Sequence, residues 1–255
     1  MDSTKRFSNR VENYTKYRPS YPKEEMLVLL SGECGLTSAS VIADVGSGTG
    51  IMTRIFLENG NQVFAVEPNP EMRHAAEQVL AAYPRFVSVP ATAEATTLPA
   101  ETADLVVAAQ AFHWFDRERV RREFVRILKP GGWVVLVWNE RRGSSTPLLA
   151  DYEQLLRTYS VDYTSVDHRN VTSEVLRSFF APDEYMSQTL SYTQTLDFEG
   201  LKGRLLSSSY SPLPGDPGFE PMLERLRVIF AAYQIDGYVS VEYDTQLFYG
   251  HLQPI

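Results

Sequence analysis

The chain has 255 residues, 44% hydrophobic and 22% charged, with a formal net charge of −8. That is apolar material for one large core, and an acidic balance without a long basic run speaks against general binding along a nucleic-acid backbone. A single cysteine, Cys34, excludes an internal disulfide framework and a cysteine-rich zinc or iron–sulfur site, and no stretch approaches the ~20 apolar residues that span a bilayer.

The polar opening segment, MDSTKRFSNRVENYTKYRPSYP, lacks an apolar signal-peptide core, so a cytoplasmic protein is expected. Phe7, Val11, Tyr14 and Tyr17 fall on one face of a short helix ended by Pro19. A second helix starts near Pro22, with Glu24 and Glu25 in its first turn, and ends near Gly32 and Gly35. Then strand and helix patterns alternate. VIADV (41–45), VFAVE (63–67), RFVSV (85–89), DLVVAA (104–109) and WVVLVW (133–138) are short apolar runs suited to parallel strands buried on both faces. Between them lie helical stripes. Ile51, Ile55 and Phe56 form the first; Met72, Ala75, Ala76, Val79 and Leu80 the second, after Pro70. Val120, Phe124, Ile127 and Leu128 form the third, with Asp116 as N-cap, and Pro130-Gly131-Gly132 stops it. Repeated strand–helix–strand units imply right-handed crossovers and an α/β, doubly wound sheet.

The pattern loosens after Arg142. Helices are expected near 147–159 and 173–180, and Met222, Leu226, Ile229, Phe230 and Tyr233 fit another. Leu190, Tyr192, Leu196 and Phe198 alternate like a strand, as do alternate positions from Val239 to Tyr249. The expected organisation is one domain over 1–255: a helical cap (1–35), a ligand-binding core (40–140) and a half that finishes the sheet and covers the site (143–255).

The most informative segment is ADVGSGTG (43–50), between an apolar strand and a helix. Gly46, Gly48 and Gly50, with Ser47 and Thr49 between them, let the backbone turn sharply and approach a ligand, towards which free amides of the helix start are expected to point. The spacing is GxGxG rather than the dinucleotide GxGxxG, and Asp44 precedes the first glycine by two. Glu67 ends the next strand, where a carboxylate can accept both hydrogen bonds of a ribose diol. A carboxylate at Asp44 repels a pyrophosphate and suits a cationic group such as an amino-acid ammonium. Alone it reads equally as a capping or turn acid. With Glu67 and the glycines it fits a nucleoside with a cationic tail and no phosphate, S-adenosylmethionine.

These residues resemble the class I S-adenosylmethionine-dependent methyltransferase superfamily. DVGSGTG is similar to its first motif and VEPNPEM (66–72) to its second. ATAEATTLP (91–99) resembles the adenine-edge segment, DLVVAAQAFHWFD (104–116) the fourth-strand segment, and RILKPGGWVVLVW (126–138) the turn into strand five. YTKYRPSYP and QAFHWF resemble the small-molecule branch of trans-aconitate methyltransferase-like proteins. The resemblance covers about 10–140 well and the rest weakly. It implies a Rossmann-like, seven-stranded sheet with six parallel strands and the last antiparallel. It further implies that Asp44 and the 46–50 backbone hold the methionine part, and Glu67 the ribose. Pro68 and Asn69 would flank the adenine, Ala93 and Glu94 would lie at its amino edge, and Gln110 would face the sulfonium region. Tyr14, Tyr17 and Arg18 would lie over the cofactor, with Arg18 a partner for its carboxylate; both tyrosines read equally as helix packing.

In that chemistry the cofactor carries an electrophilic methyl group, and the protein aligns a nucleophile and excludes water. The acceptor is expected to be a small molecule, with a carboxylate one option, through S-adenosylmethionine-dependent methyl transfer. His113, on a loop after strand four, is a candidate base or a structural histidine. Trp114 and Phe115 read as pocket wall or as anchors of the next helix, and Arg141 and Arg142 as an acid-binding pair or a solvated loop. Tyr210, within SSSYSP (207–212), offers a hydroxyl to a substrate or a turn. His74, His168 and His251 are scattered, so no metal site is expected. The competing readings are a catalytically silent cofactor-binding regulator and a nicotinamide-dependent oxidoreductase, the latter disfavoured by Asp44 and the glycine spacing. Action on nucleic acid is not expected. No cytosine-type catalytic cysteine motif is present, and AQAFHWF stands where an [ND]PP[YFW] loop would follow strand four. Neither the oligomeric state nor the acceptor atom is legible.

Overall fold

The structure, a computed structural model, describes residues 11–161, 163 and 171–254. Phe7 and His168 lie outside the described residues. Two helices lead, α1 (Val11–Tyr17) and α2 (Lys23–Cys34). Pro22 precedes α2, and Gly35 closes it in the left-handed region (φ 66°), its amide bonded to the Leu30 carbonyl. The alternating part follows as β1 (Val41–Val45), α3 (Ile51–Glu58), β2 (Gln62–Val66), α4 (Pro70–Leu80), β3 (Phe86–Val89), β4 (Ala103–Ala109), α5 (Arg117–Ile127) and β5 (Leu128–Arg141). Then come α6 (Pro147–Tyr159), α7 (Ser173–Phe180), β6 (Met186–Leu196), α8 (Phe198–Leu206), α9 (Phe219–Tyr233) and β7 (Val239–Gly250).

The strands form one seven-stranded sheet in the order β3-β2-β1-β4-β5-β7-β6. Pairs among β1 to β5 are parallel, while β7 runs antiparallel to both β5 and β6. This is the expected doubly wound α/β sheet with its final strand reversed. Strand alternation explains why near-continuous apolar runs were needed. Ile42, Leu105, Val135 and Val137 enter a core with Met26, Phe56 and Leu80. Ala43, Val106, Val134 and Leu136 enter the opposite core with Phe124, Ile127 and Phe179. A third cluster joins α6, α8 and α9 to Val239, Val241 and Tyr243 of β7. No described helix is long and apolar enough to cross a membrane.

Four expectations need correction, the first being Leu128, which opens β5 instead of belonging to the α5 stripe. Val79 is exposed, because the buried stripe of α4 is Met72, Ala76 and Leu80 and Val79 falls off it. Phe198 belongs to α8 rather than to the preceding strand; Asp197 caps that helix through the Gly200 amide at 2.7 Å. Pro130-Gly131-Gly132 does not precede β5 but sits within it as an irregularity, with pairing jumping from Ala103–Leu128 to Leu105–Trp133 and Gly131 at φ 77°. Asp116 caps α5 as expected, accepting from the Arg119 amide at 3.1 Å.

Chain order reverses at β1, whose neighbours are β2 and β4. The strands' carboxyl ends therefore diverge there and leave a crevice.

Candidate functional site

That crevice is a cleft of about 1030 Å³, counting its open mouth. The loop after β1 forms its floor. Gly46, Gly48 and Gly50 all have positive φ, 74°, 57° and 83°. A Cβ at Gly46 would stand 2.5 Å from that of Ala111, and one at Gly50 2.6 Å from Leu80 Cδ1. The two glycines thus serve close packing under the site, while Gly48 faces the cleft beside Met72. Thr49 and Gly50 are buried behind the lining.

Asp44 and Glu67 stand in the lining at the ends of β1 and β2. Asp44 is 1% exposed. Its Oδ2 accepts from the Thr53 hydroxyl at 2.5 Å, and its buried Oδ1 has no hydrogen-bond partner among the described residues. Burial pushes its carboxyl up to about 7, against the Thr53 bond and with help from the Glu67 charge. Glu67 accepts from the Gly48 amide through Oε2 at 2.9 Å and from the Asn69 amide through Oε1 at 2.8 Å. Burial raises its pKa too, with the two amide bonds opposing. Each Glu67 oxygen keeps a lone pair for a further donor.

Four amides of the loop that leads into α3 are engaged within the protein. Gly46 and Ser47 donate to the Val66 carbonyl, Gly48 to Glu67, and Gly50 to the Ser47 carbonyl. Three of those donors tie the loop to the end of β2 and one closes the loop on itself. The floor offers a ligand the Asp44 and Glu67 carboxylate oxygens and the Ser47 hydroxyl, unpartnered among the described residues, and the sign of the two carboxylates favours a cation over a phosphate.

Pro68, Asn69, Ala93, Glu94, Gln110, Trp114 and Tyr14 also line the cleft. Asn69 caps α4, its Oδ1 accepting from the Met72 amide at 2.9 Å. Glu94 Oε1 accepts from the Asp116 amide at 3.1 Å. Gln110 adopts φ 58°, a conformation costly for a side-chain-bearing residue, held by its amide on the Val137 carbonyl and its Nε2 on the Asn139 carbonyl at 3.2 Å. Sequence reasoning missed Tyr21, Met72 and Thr92 in the lining; Phe115, read as one of two options, lines it too. Nothing in their local pattern separates them from packing residues.

Other expected site residues lie elsewhere. His113 is in a short 3-10 turn (Phe112–Trp114), its ring 4.7 Å from that of Trp114 and outside the lining. Tyr17 packs on Gly203 of α8. Arg18 lies over the Tyr14 ring at 4.7 Å, and its Nη2 donates to the Ser207 carbonyl at 3.2 Å. Arg141 pairs with Glu153 of α6 and lies over the Tyr152 ring, and Tyr210 stacks edge-on against Tyr163. Arg142 is paired to Asp244 at 2.7 Å. No cluster of three or more metal-binding side chains occurs among the described residues.

Residues 43–136, the part of the chain that builds this crevice, match the methyltransferase domain family. An uncharacterised methyltransferase of Mycobacterium tuberculosis is 40% identical over 140 residues, covering 55% of this chain and 54% of the relative. An uncharacterised methyltransferase-like protein of Schizosaccharomyces pombe is 33% identical over 162 residues, covering 63% and 61%. The chain thus spans about half the length of the first of these relatives, and under two thirds of the second. Among solved structures, a chain from Anaeromyxobacter dehalogenans assigned as a type II methyltransferase superposes with TM-score 0.66 at 22% identity, covering 94% of this chain and 100% of that one. A phosphoethanolamine N-methyltransferase of Haemonchus contortus, in complex with phosphomonomethylethanolamine and S-adenosylhomocysteine, gives TM-score 0.56 at 15% identity, covering 99% and 59%. The fold is that of the Rossmann-like methyltransferases, and the family match falls on residues 43–136, which supply most of the crevice lining.

Proposed function

We propose that this protein binds S-adenosylmethionine in the crevice beyond β1 and β4 and transfers its methyl group to a small-molecule acceptor. One observation carries the reading: the buried, unpartnered Oδ1 of Asp44 beside the Glu67 carboxylate in the floor of the crevice. Such a floor suits an ammonium and disfavours a pyrophosphate, which also speaks against a nicotinamide dinucleotide. The match of residues 43–136 to the methyltransferase domain supports the same reading.

The residues fit this cofactor. Asp44 would hold the amino-acid ammonium, the free lone pairs of Glu67 the ribose hydroxyls, and Pro68, Met72 and Ala93 the faces of the base. When bound, the cofactor supplies an electrophilic methyl group on a sulfonium, so no metal or redox partner is needed for the transfer. The chain contributes orientation and exclusion of water. Gln110, pinned in its left-handed conformation, fixes the wall between β4 and β5. Tyr14 and Tyr21 close the cleft from the α1–α2 side.

Incubation with S-adenosylmethionine carrying a labelled methyl group and a panel of small organic acids, alcohols and amines tests the proposal. Label is expected in at least one acceptor. Cofactor binding without transfer to any acceptor in the panel would leave only a cofactor-binding protein.

A further inference from the structure

A cluster of arginines beside the crevice, Arg204 buried and Arg18 and Arg141 partly so, has no part in holding the cofactor as described above. Arg141 ends β5, Arg204 lies in α8, and Arg18 follows α1. Arg204 is 6% exposed, and the Arg141 side chain 9%. Arg204 donates through Nε to the Tyr243 hydroxyl and through Nη1 to Ser208 Oγ, each at 3.0 Å. The sheet sets Tyr243 directly opposite Arg141. Arg18 Nε and Arg141 Nε are buried and have no hydrogen-bond partner among the described residues.

The charges do not balance. Among the described residues, Glu153 is the one carboxylate paired with any of the three, and it also pairs with Arg157 at 3.0 Å. Three guanidinium charges against one shared carboxylate leave a surplus of about two, in a setting where arginine does not lose its proton. Neighbouring groups register this field. Arg18 is pulled below its usual range by burial, with Arg204 adding to the effect and the Tyr14 ring opposing. Burial pushes the Tyr210 phenol up, yet Arg204 and Arg141, with the Ser208 bond and Arg18, outweigh it and hold it below its ordinary value.

The cluster adjoins the crevice. Tyr14 both lines the crevice and carries Arg18 on its ring. Gln110, in the crevice wall, donates to Asn139, and Asn139 and Arg141 share one face of β5 by strand alternation. That face points to the α1–α2 link, since Asn139 Nδ2 donates to the Ser20 carbonyl at 2.7 Å.

We propose that Arg18, Arg141 and Arg204 form the acceptor subsite, and that it takes a small organic oxyanion carrying two negative charges. The planar forks of arginine match the two oxygens of a carboxylate or phosphate, and the tyrosine hydroxyls and Ser208 supply further donors. Arg18 then serves the acceptor rather than the cofactor carboxylate. This inference rests on the methyltransferase reading, and its test separates the two.

The full chain, saturated with S-adenosylhomocysteine, is titrated calorimetrically with succinate, with glycerol 3-phosphate, and with the neutral counterparts succinamide and glycerol. At least one anion is expected to bind ten or more times tighter than its neutral counterpart; which one distinguishes a dicarboxylate from a phosphomonoester acceptor. Arg204→Gln is expected to weaken that binding at least tenfold with S-adenosylhomocysteine affinity unchanged. If this variant no longer binds S-adenosylhomocysteine, Arg204→Lys, which keeps charge and stem but loses the fork, replaces it, with at least threefold weaker anion binding expected. Equal binding of anions and neutral counterparts, no binding of either anion, or unaltered anion binding in the working Arg204 variant overturns the subsite while leaving the cofactor reading intact. Failure of the parent chain to bind S-adenosylhomocysteine overturns the reading beneath it.

Discussion

At the scale of single residues, Asp44 decides most. Its ionisation costs stability because it is buried with one oxygen unpartnered. Its folded pKa, about 7, lies above the unfolded value of 3.8. Between those values the folded chain keeps a proton that the unfolded chain releases, so this group's contribution falls as pH rises and levels off above 7. Asp44→Asn removes that cost. The variant is expected to melt higher than the parent at pH 8, with the gap closing towards pH 4, because the penalty amounts to a few kcal/mol, ~4 at most. It is also expected to bind S-adenosylmethionine ~100-fold more weakly. Melting curves across pH and a binding titration check both; a variant that is less stable at pH 8 and binds normally would make Asp44 a structural acid. The sequence marked Asp44 because it stands two residues before Gly46, and Glu67 because it ends the next apolar run. It could not mark the spent amides, because their acceptors, Val66 and Glu67, lie on another strand and become neighbours only through the β1–β2 register.

At the scale of elements, α1 is the piece whose attachment matters. None of its residues is fully buried. It rests on α8 through the Tyr17 ring on Gly203, on the C-cap of α8 through the Arg18 bond to Ser207, and on β6 through the Gln194 Nε2 bond to the Tyr17 carbonyl at 3.1 Å. A Cβ at Gly203 would overlap the Tyr17 ring. Gly203→Ala is therefore expected to lift α1 and with it Tyr14, weakening cofactor affinity about tenfold while moving the melting temperature by under ~2 °C, since little core lies beneath. Titration and a thermal melt of the variant check this; unchanged affinity would mean that Tyr14 covers nothing. Most helices were legible, but α8 was not expected. Asp116, Pro70 and the 3.6-residue stripes announced α4 and α5, and the weak pattern after Arg142 still placed α6 and α7. Errors came where one apolar residue could serve two periods, as Phe198 does at the junction of β6 and α8.

At the scale of the whole molecule, an acidic chain gathers three arginines beside its crevice. The net charge of −8 speaks against a broad basic surface but says nothing of three arginines gathered from the α1–α2 link, β5 and α8. They are 123 and 63 residues apart along the chain (141 − 18 and 204 − 141), so no local motif joins them. The fold class was legible because each buried parallel strand must be apolar on both faces, and five such runs preceded the final alternating one. The crevice followed from that topology. What lies beyond its far wall did not, because it depends on how the less regular half returns over the sheet. The central claim is that the crevice accepts a cationic nucleoside and rejects a dinucleotide phosphate. Calorimetric titration of the unaltered chain at neutral pH with S-adenosylmethionine, S-adenosylhomocysteine and NAD tests it most directly. Saturable binding of the first two, with NAD at least tenfold weaker, is the expected result; NAD binding as tightly as either, or no heat from S-adenosylmethionine at millimolar concentration, would contradict it.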